Sequence, residues 1–293
     1  MKYKYLILIL TALFFSCAND SENSDAFGNF EAETVIISSE SAGKILQLNV
    51  EKGQKIESGY IAALIDTVQL QLKQLQIDAQ KAAVNSRKNS IQSQINVFEE
   101  QKKNLQTNEV RIINLLKDGA STQKQLDNIQ GQMNVIDKQI ASTKTQFTSV
   151  SKEMEVLTTQ MDLLTDQLQR CSVTSSASGT ILETYAEQGE LTTPGKPLFK
   201  MANLDELTLK VYVSGAQLPN VKIGQSVNVL IDKSESENQT LSGKVTWISS
   251  EAEFTPKIIQ TKEERVKLVY AVKITVKNDG TLKIGMPGEI RFQ

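Results

Sequence analysis

The sequence contains no histidine, the side chain that most often acts as a general base or a metal ligand. Serine–histidine and cysteine–histidine nucleophiles are therefore excluded. The chain has no phosphate-binding glycine loop, and nothing in the sequence clusters its carboxylates. Basic side chains number 32 and acidic ones 34, and no basic stripe interleaved with aromatic residues supports nucleic-acid binding. We therefore expect no enzyme, no metal site, no cofactor and no nucleic-acid partner.

Proline is also scarce, and none of the five prolines lies between residues 17 and 193. Long helices can therefore run through this span without a break. Apolar residues repeat there every seven positions, which is typical of a coiled coil. The two ascending series are Leu126, Met133, Ile140, Phe147, Met154, Met161, Leu168 and Ile129, Ile136, Thr143, Val150, Leu157, Leu164, Cys171. The descending series is Leu70, Ile77, Val84, Ile91, Phe98, Leu105, Ile112.

The apolar heptad residues of the two arms pair at a constant sum of residue numbers, which predicts an antiparallel hairpin. Ile112 pairs with Leu126, Phe98 pairs with Ile140, and every such pair adds up to 238. The fold-back is therefore centred on Gly119, a residue type that reverses a chain without steric cost. Arms of about 45–50 residues at 1.5 Å per residue give a rod of about 70 Å.

The arms differ at their second heptad position. In the descending arm this position is mostly polar: Gln74, Lys81, Lys88, Ile95, Lys102, Glu109, Leu116. One apolar stripe of the ascending arm thus has no clear partner in the hairpin. Either lysine stems lie across it, or the hairpin of a neighbouring subunit covers part of it.

A glycine pattern flanks the hairpin on both sides. Gly43, Gly53 and Gly59 precede it, and glycines at the same spacings, Gly179, Gly189 and Gly195, follow it. Each half is too small to bury a core alone, so we expect one β-domain split by the hairpin. After residue 204, five alternating segments separated by glycines predict a small β-barrel, with a long loop over residues 251–265.

The first residues resemble a bacterial lipoprotein signal. Lys2 and Lys4 precede an apolar run over residues 6–15, too short to span a membrane, and Cys17 follows with a polar tether. This pattern predicts lipid attachment at Cys17, with ordinary signal cleavage as the alternative. Acylation would leave Cys171 as the single free thiol, expected to be a small buried residue.

The chain resembles the membrane fusion proteins, the HlyD family of periplasmic adaptor subunits of efflux and type I secretion systems. Residues 41–66 and 176–209 look like the two lipoyl half-motifs of that family. GQSVNV, LSGKVTWIS, YAVKITV and IGMPGEIRF look like its adaptor barrel. The resemblance implies an α+β fold, with a split lipoyl-like β-domain, an inserted antiparallel coiled-coil hairpin and a following β-barrel.

The resemblance also implies a division of the chain. We expect a signal peptide over 1–16, a tether over 17–29, a lipoyl-like domain over 30–66 and 172–202, a hairpin over 67–171, and a barrel over 203–293. No lipoyl or biotinyl modification is expected, because the hairpin replaces the carrier turn. The membrane-proximal domain of many family members is expected to be absent or reduced.

Three residues near the tip match the spacing with which family members dock onto outer-membrane channels. They are Arg111, Leu115 and Thr122. A guanidinium, an apolar knob and a hydroxyl at a tip suit a point contact. The alternative is that Arg111 is an ordinary solvated residue and Thr122 an N-cap, with Gln125 completing a capping box.

The family implies a non-enzymatic adaptor in the periplasm of a Gram-negative bacterium. It would be anchored by lipid, with the inner membrane favoured, and would join an inner-membrane transporter, with the ABC class favoured, to an outer-membrane channel. Self-association as a hexamer or a trimer of dimers is implied. The alternative is a lipid-anchored structural coiled-coil protein without a transporter. A carrier domain serving an enzyme is disfavoured, because no lysine occupies the carrier turn.

Overall fold

A computed structural model of the chain describes residues 24–233, 237–254 and 268–292. The predicted signal peptide, and Cys17 with it, lie outside the described residues. The described chain forms a β-domain split by a long helical hairpin and a separate β-barrel. This arrangement confirms the predicted fold class.

The hairpin consists of two helices, α1 (Val68–Lys117) and α2 (Gln123–Arg170), of 50 and 48 residues. At 1.5 Å per residue the longer arm extends about 75 Å. Gly119 lies in the turn between them with φ +76°, a backbone conformation that residues other than glycine adopt only at a cost in free energy. The backbone therefore reverses where the heptad pairing predicted.

Contacts between the arms agree with the predicted register. Lys102 is expected opposite Ile136, and its Nζ lies 2.7 Å from Oδ1 of the next residue, Asp137. The buried residues of the hairpin come from both helices: Ile77, Val84, Ile95, Thr143, Val150, Leu157 and Leu164. The hydroxyl of Thr143, the polar member of its series, donates to the Gln139 carbonyl at 2.8 Å and so does not lie unpaired in the interface.

The second apolar stripe of α2 is covered within the same chain. Its members from Thr143 to Leu164 are buried in the hairpin. On the opposing arm, Ile95 is buried. The hairpin therefore buries this part of the stripe without a neighbouring subunit, whereas the Lys88 ammonium lies 5.2 Å from the centroid of the ring of Phe147, a residue of the other series.

The split β-domain contains two four-stranded sheets. The first has the order β2 (Thr34–Ser38), β9 (Pro197–Ala202), β7 (Gly179–Thr184) and β4 (Lys55–Ile56). The second has the order β6 (Ser172–Thr174), β5 (Ile61–Ile65), β3 (Gly43–Leu48) and β8 (Leu191–Thr192). Each sheet contains strands from both sides of the hairpin, so neither glycine repeat forms a sheet alone.

Hydrogen bonds relate the two repeats by an approximate twofold symmetry. The Gly53 amide donates to the Ile181 carbonyl, and the Gly189 amide donates to the Ile45 carbonyl, both at 2.8 Å. Corresponding residues differ by the same number in each case (189 − 53 = 136 and 181 − 45 = 136). The repeated glycine spacing in the sequence is therefore a repeated hydrogen-bond pattern across the domain.

The barrel closes through six antiparallel strands. Their order is β10 (Glu206–Ser214), β1 (Ala26–Glu31), β15 (Pro287–Phe292), β11 (Ser226–Asp232), β12 (Asn238–Ile248) and β14 (Leu268–Lys277). Pairing of β14 with β10 completes the ring. A short strand, β13 (Glu253–Phe254), adds beside β14. Of the loop predicted over residues 251–265, residues 251 and 252 precede β13, residues 253 and 254 form it, and the rest lie outside the described residues.

The sixth barrel strand corrects the predicted tether. Residues 26–29, at the end of the predicted tether, are part of β1 and lie between β10 and β15. Ala26 and Phe30 point into the barrel core, and a Cβ on Gly28 would lie 1.8 Å from the Lys210 carbonyl oxygen. Close approach of the two strands thus requires glycine at this position.

The chain connections place the three parts in line. Thr34 of β2 pairs with Ala202 beside the barrel, whereas Ser38 pairs with Pro197 towards the hairpin. Ala26 lies at the end of β1 remote from the β-domain, next to Ile290. The β-domain therefore separates the barrel from the hairpin, and β1 begins at the far end of the barrel.

Candidate docking site at the hairpin tip

The last two turns of α1 bring a cation and an apolar side chain together at the end of the rod. Arg111 and Leu115 are four residues apart and therefore lie on the same face of the helix. The Arg111 guanidinium is exposed and donates from Nη1 to Asn108 Oδ1 at 3.2 Å. It forms no ion pair with any residue in the described part of the chain. Leu115 is 37% exposed.

The turn holds the end of α1 in place by backbone hydrogen bonds. The Ala120 amide donates to the Leu115 carbonyl at 2.8 Å, and the Gly119 amide donates to the Leu116 carbonyl at 3.1 Å. These bonds supply donors to carbonyls at the end of α1 that have no hydrogen-bond partner within the helix. The Leu115 side chain is therefore presented by an ordered turn.

Thr122 begins α2 as its N-cap. Its backbone is extended, its amide donates to the Gln125 side-chain oxygen at 3.1 Å, and the Gln125 backbone amide donates to the Thr122 carbonyl at 3.0 Å. This is the capping-box role that the sequence offered for Thr122. The residue is also exposed at the tip, so the capping role leaves it accessible to a partner.

The opposite end of the hairpin is fixed to the β-domain by an ion-pair cluster that the sequence analysis missed. Arg170 donates from Nε and Nη2 to the Asp166 carboxylate at 2.8 and 3.2 Å, and from Nη1 to Glu40 at 2.7 Å. These hydrogen bonds hold the pKa of Asp166 below its usual range and raise that of Arg170. The one sequence signal that could have indicated this cluster is the arginine at the last position of α2.

The described residues show no other site of obvious chemistry. Among them, no group of three or more cysteine, aspartate or glutamate side chains could hold a metal ion. No helix in the described ranges is both long and apolar enough to cross a membrane. The tip is therefore the place where the residues selected from the sequence are brought together.

Two sequence comparisons agree with this architecture. The model of the LcnD-like C-terminal domain matches residues 203–292. A UPF0194 membrane protein of Yersinia enterocolitica is 25% identical, over 98% of this chain and 96% of its own length.

Two solved structures share the fold. MacA from Actinobacillus actinomycetemcomitans superposes with a TM-score of 0.60 at 21% identity, covering 90% of this chain and 76% of MacA. The membrane fusion protein Spr0693 from Streptococcus pneumoniae R6 superposes with a TM-score of 0.55 at 16% identity, covering 91% and 97%. The chain therefore has the fold of these two proteins.

The structure locates the candidate residues without assigning them a partner. Arg111, Leu115 and Thr122 lie together at the tip, and their role in docking stays a prediction. Lipid attachment at Cys17 also stays a prediction.

Proposed function

We propose that this chain is a membrane fusion protein that acts as a non-enzymatic periplasmic adaptor for efflux or secretion. It joins an inner-membrane transporter, of which the ABC class is the first to test, to an outer-membrane channel. The observation that carries the proposal is the linear order of its parts. β1 begins at the far end of the barrel, and the tip lies beyond the β-domain at the end of a rod of about 75 Å.

A connector must hold its two ends in a defined direction. The hairpin is continuous in both arms, and its base is tied to the β-domain by Arg170 and Glu40. The β-domain is tied to the barrel by Lys55, whose Nζ lies 2.7 Å from Oδ1 of Asp205. Exposed ion pairs of this kind stabilise weakly, but they select an orientation between packed parts.

Photocrosslinking from the two ends tests the proposal directly. We expect p-benzoylphenylalanine at the exposed tip position Gln123 to form an adduct with an outer-membrane protein. The same probe at Ile223, which lies 69% exposed in the loop after β10, is expected to form an adduct with an inner-membrane protein. Mass spectrometry of each adduct identifies the partner and its membrane.

The control for this experiment is a probe at Gln160, which is exposed near the hairpin base. It should give neither of the two adducts. If Gln123 yields no outer-membrane protein in cells where Ile223 reacts, the channel half of the proposal is wrong. A structural coiled-coil protein without a transporter would give neither partner.

Anchoring by a lipid on Cys17 is part of the proposal. Several acyl chains hold a protein on a membrane durably, because each buried methylene adds about 0.8 kcal/mol. We expect Cys17→Ser to move the protein from the membrane fraction to the soluble periplasmic fraction. Fractionation and intact-mass measurement check this. A wild-type chain without lipid mass, and a variant that still sediments with membranes, would contradict it.

A further inference from the structure

A recess on the outer face of the barrel lies beside the connection from β1 to β2. It has a volume of about 430 Å³ and is lined by side chains of β1, β10, β12, β14 and that connection. Small-molecule sites in proteins typically have volumes of about 300–1,000 Å³. None of the lining side chains belongs to the hairpin, so the recess is separate from the candidate docking residues at the tip.

A β-bulge in β12 turns the single tryptophan of the chain towards this recess. Val245 pairs with Ile274 of β14. Trp247, two residues further along β12, pairs with Lys273, which is only one residue away from Ile274. The extra residue, Thr246, interrupts the alternation of the strand, and Thr246 and Trp247 are both exposed. With strict alternation, Trp247 would face the barrel core as Val245 does.

Side chains of opposite charge line the recess without pairing. Glu31 and Glu33 lie on its β1 side. The Lys273 ammonium lies 5.4 Å from the centroid of the Trp247 ring, a contact that orients the indole while 42% of the tryptophan stays exposed. None of the three charged side chains forms an ion pair with a residue in the described part of the chain. The recess therefore presents acceptors on one side and a donor on the other.

Three threonine hydroxyls lie between these charged walls. Thr208 pairs with Glu31 on one side and with Thr275 on the other, so the three side chains form a row on the outer face. The Thr275 hydroxyl donates to the Thr246 hydroxyl at 3.4 Å, and the Thr246 hydroxyl donates to the Lys273 carbonyl at 3.2 Å. The Thr208 hydroxyl has no hydrogen-bond partner among the described residues. A hydroxyl donates once and accepts twice, so the row keeps hydrogen-bonding capacity for a ligand.

The combination of these groups selects one class of ligand. An anion would be repelled by Glu31 and Glu33, and a cation would be repelled by Lys273. A purely apolar ligand would cover the hydroxyls and charges without giving them hydrogen bonds, which costs free energy. A sugar ring meets all these conditions. Its C–H groups form an apolar face that packs on an indole, and its hydroxyls both donate and accept hydrogen bonds.

We propose that the recess beside Trp247 binds a pyranose saccharide. Trp247 packs on the sugar ring, and Glu31 and Glu33 accept hydrogen bonds from its hydroxyls. Lys273 and Thr208 donate to its oxygen atoms. The sugar has one of two sources, a soluble saccharide or a glycan strand of the cell wall, and the chemistry of the ring is shared by both. The inference goes beyond the proposed adaptor function and does not depend on it, because the recess involves neither the tip nor a partner protein.

The fluorescence of Trp247, the single tryptophan, reports binding in the full-length chain. The soluble probes are chitotriose, a β-linked trimer of an amino sugar, and maltotriose, an α-linked trimer of glucose. We expect at least one of them to shift the emission to shorter wavelength with a dissociation constant of about 1 mM or lower, because the sugar displaces water from the indole. Glycerol at the same concentration of hydroxyl groups is the control and should give no saturable shift.

Two substitutions test whether the recess is the place of binding. Trp247→Ala should weaken binding of the responding probe at least about tenfold in isothermal titration calorimetry, because packing on the indole is lost. Thr208→Val replaces a hydroxyl with a methyl group of similar size and should weaken binding at least about threefold. Phe27→Ala removes an exposed aromatic side chain of β1 outside the recess and should bind as the wild type does. Thermal unfolding followed by circular dichroism checks that all three variants are folded.

Sedimentation with purified peptidoglycan sacculi distinguishes the two sources of the sugar. If the ligand is a glycan strand, the full-length chain should sediment with sacculi, Trp247→Ala should stay largely in the supernatant, and Phe27→Ala should sediment as the wild type does. Saturable binding of a trisaccharide without sedimentation assigns the recess to a soluble saccharide. Either result supports a saccharide site.

Three outcomes would overturn the proposal. The first is the absence of both a saturable response to the trisaccharides and sedimentation with sacculi. The second is an equal response to glycerol, and the third is unchanged affinity in both Trp247→Ala and Thr208→Val. These measurements need neither a transporter nor a channel. Failure of the saccharide site is therefore distinguishable from a missing Gln123 photoadduct.

Discussion

Replacing Phe30 with alanine is expected to lower the free energy of unfolding of the barrel by about 3–5 kcal/mol. Phe30 is 0% exposed and belongs to the barrel core. A Cβ on Gly288 would lie 2.9 Å from the Phe30 ring, so the space around the ring is already filled by neighbouring backbone. The truncation leaves a cavity that the closed barrel cannot collapse to fill. Urea unfolding followed by the fluorescence of Trp247 in β12 measures the loss.

The matched control for Phe30→Ala lies three residues away on the same strand. Phe27 is 59% exposed, so Phe27→Ala should change the free energy of unfolding by less than about 0.5 kcal/mol. Helical circular dichroism should persist in both variants, because the hairpin shares no side-chain packing with β1. Equal destabilisation by the two variants would show that β1 does not lie in the barrel as described.

Replacing Arg111 with aspartate is expected to reduce the Gln123 photoadduct with the outer-membrane partner at least tenfold. The change removes the guanidinium that, in the proposed docking, donates to the partner, and it places a carboxylate where a cation is expected. A charge-assisted hydrogen bond contributes about 1.5–3 kcal/mol, and each 1.4 kcal/mol is a factor of ten in affinity. Arg111 is exposed, so the midpoint of thermal unfolding should stay unchanged.

The control for Arg111→Asp is Lys124→Asp. Both substitutions change the charge of the tip by the same amount, but Lys124 lies in the first turn of α2, where an acidic residue favours the helix. The Ile223 adduct with the inner-membrane partner should survive in both variants. If Lys124→Asp reduces the Gln123 adduct as much as Arg111→Asp does, the effect is a general one of tip charge, and the specific role of Arg111 is rejected.

The sequence predicted the hairpin well because its signal is local and repeated. Seven-residue spacing over both arms fixed the pairing, and Gly119 marked the reversal that the structure contains. The glycine repeats predicted the split β-domain for a related reason. Equal glycine spacings in two segments imply equivalent turns. The equivalent hydrogen bonds of the Gly53 and Gly189 amides show that the two turns are alike.

The missed features depend on residues far apart in the chain. β1 is six residues long, and its partners on β10 and β15 come about 180 and 260 residues later, so no local pattern separated it from a tether. The Arg170 contact with Glu40 likewise spans 130 positions. For the tip, the sequence predicted position and capping, but the chemistry of a partner is not encoded in the spacing of Arg111, Leu115 and Thr122.

The closure of the barrel has a consequence for the order in which the chain folds. β15 lies between β1 and β11, so the first strand of the barrel acquires its second neighbour only when residues 287–292 are present. The hairpin needs no such distant segment at its tip, and helices form within about a microsecond once their residues are free. The chain therefore completes its rod early, whereas barrel formation waits for the last strand to be made, because non-local pairing is slow. Until then one edge of β1 is unpaired, and a truncation within β15 would leave the barrel open between β1 and β11.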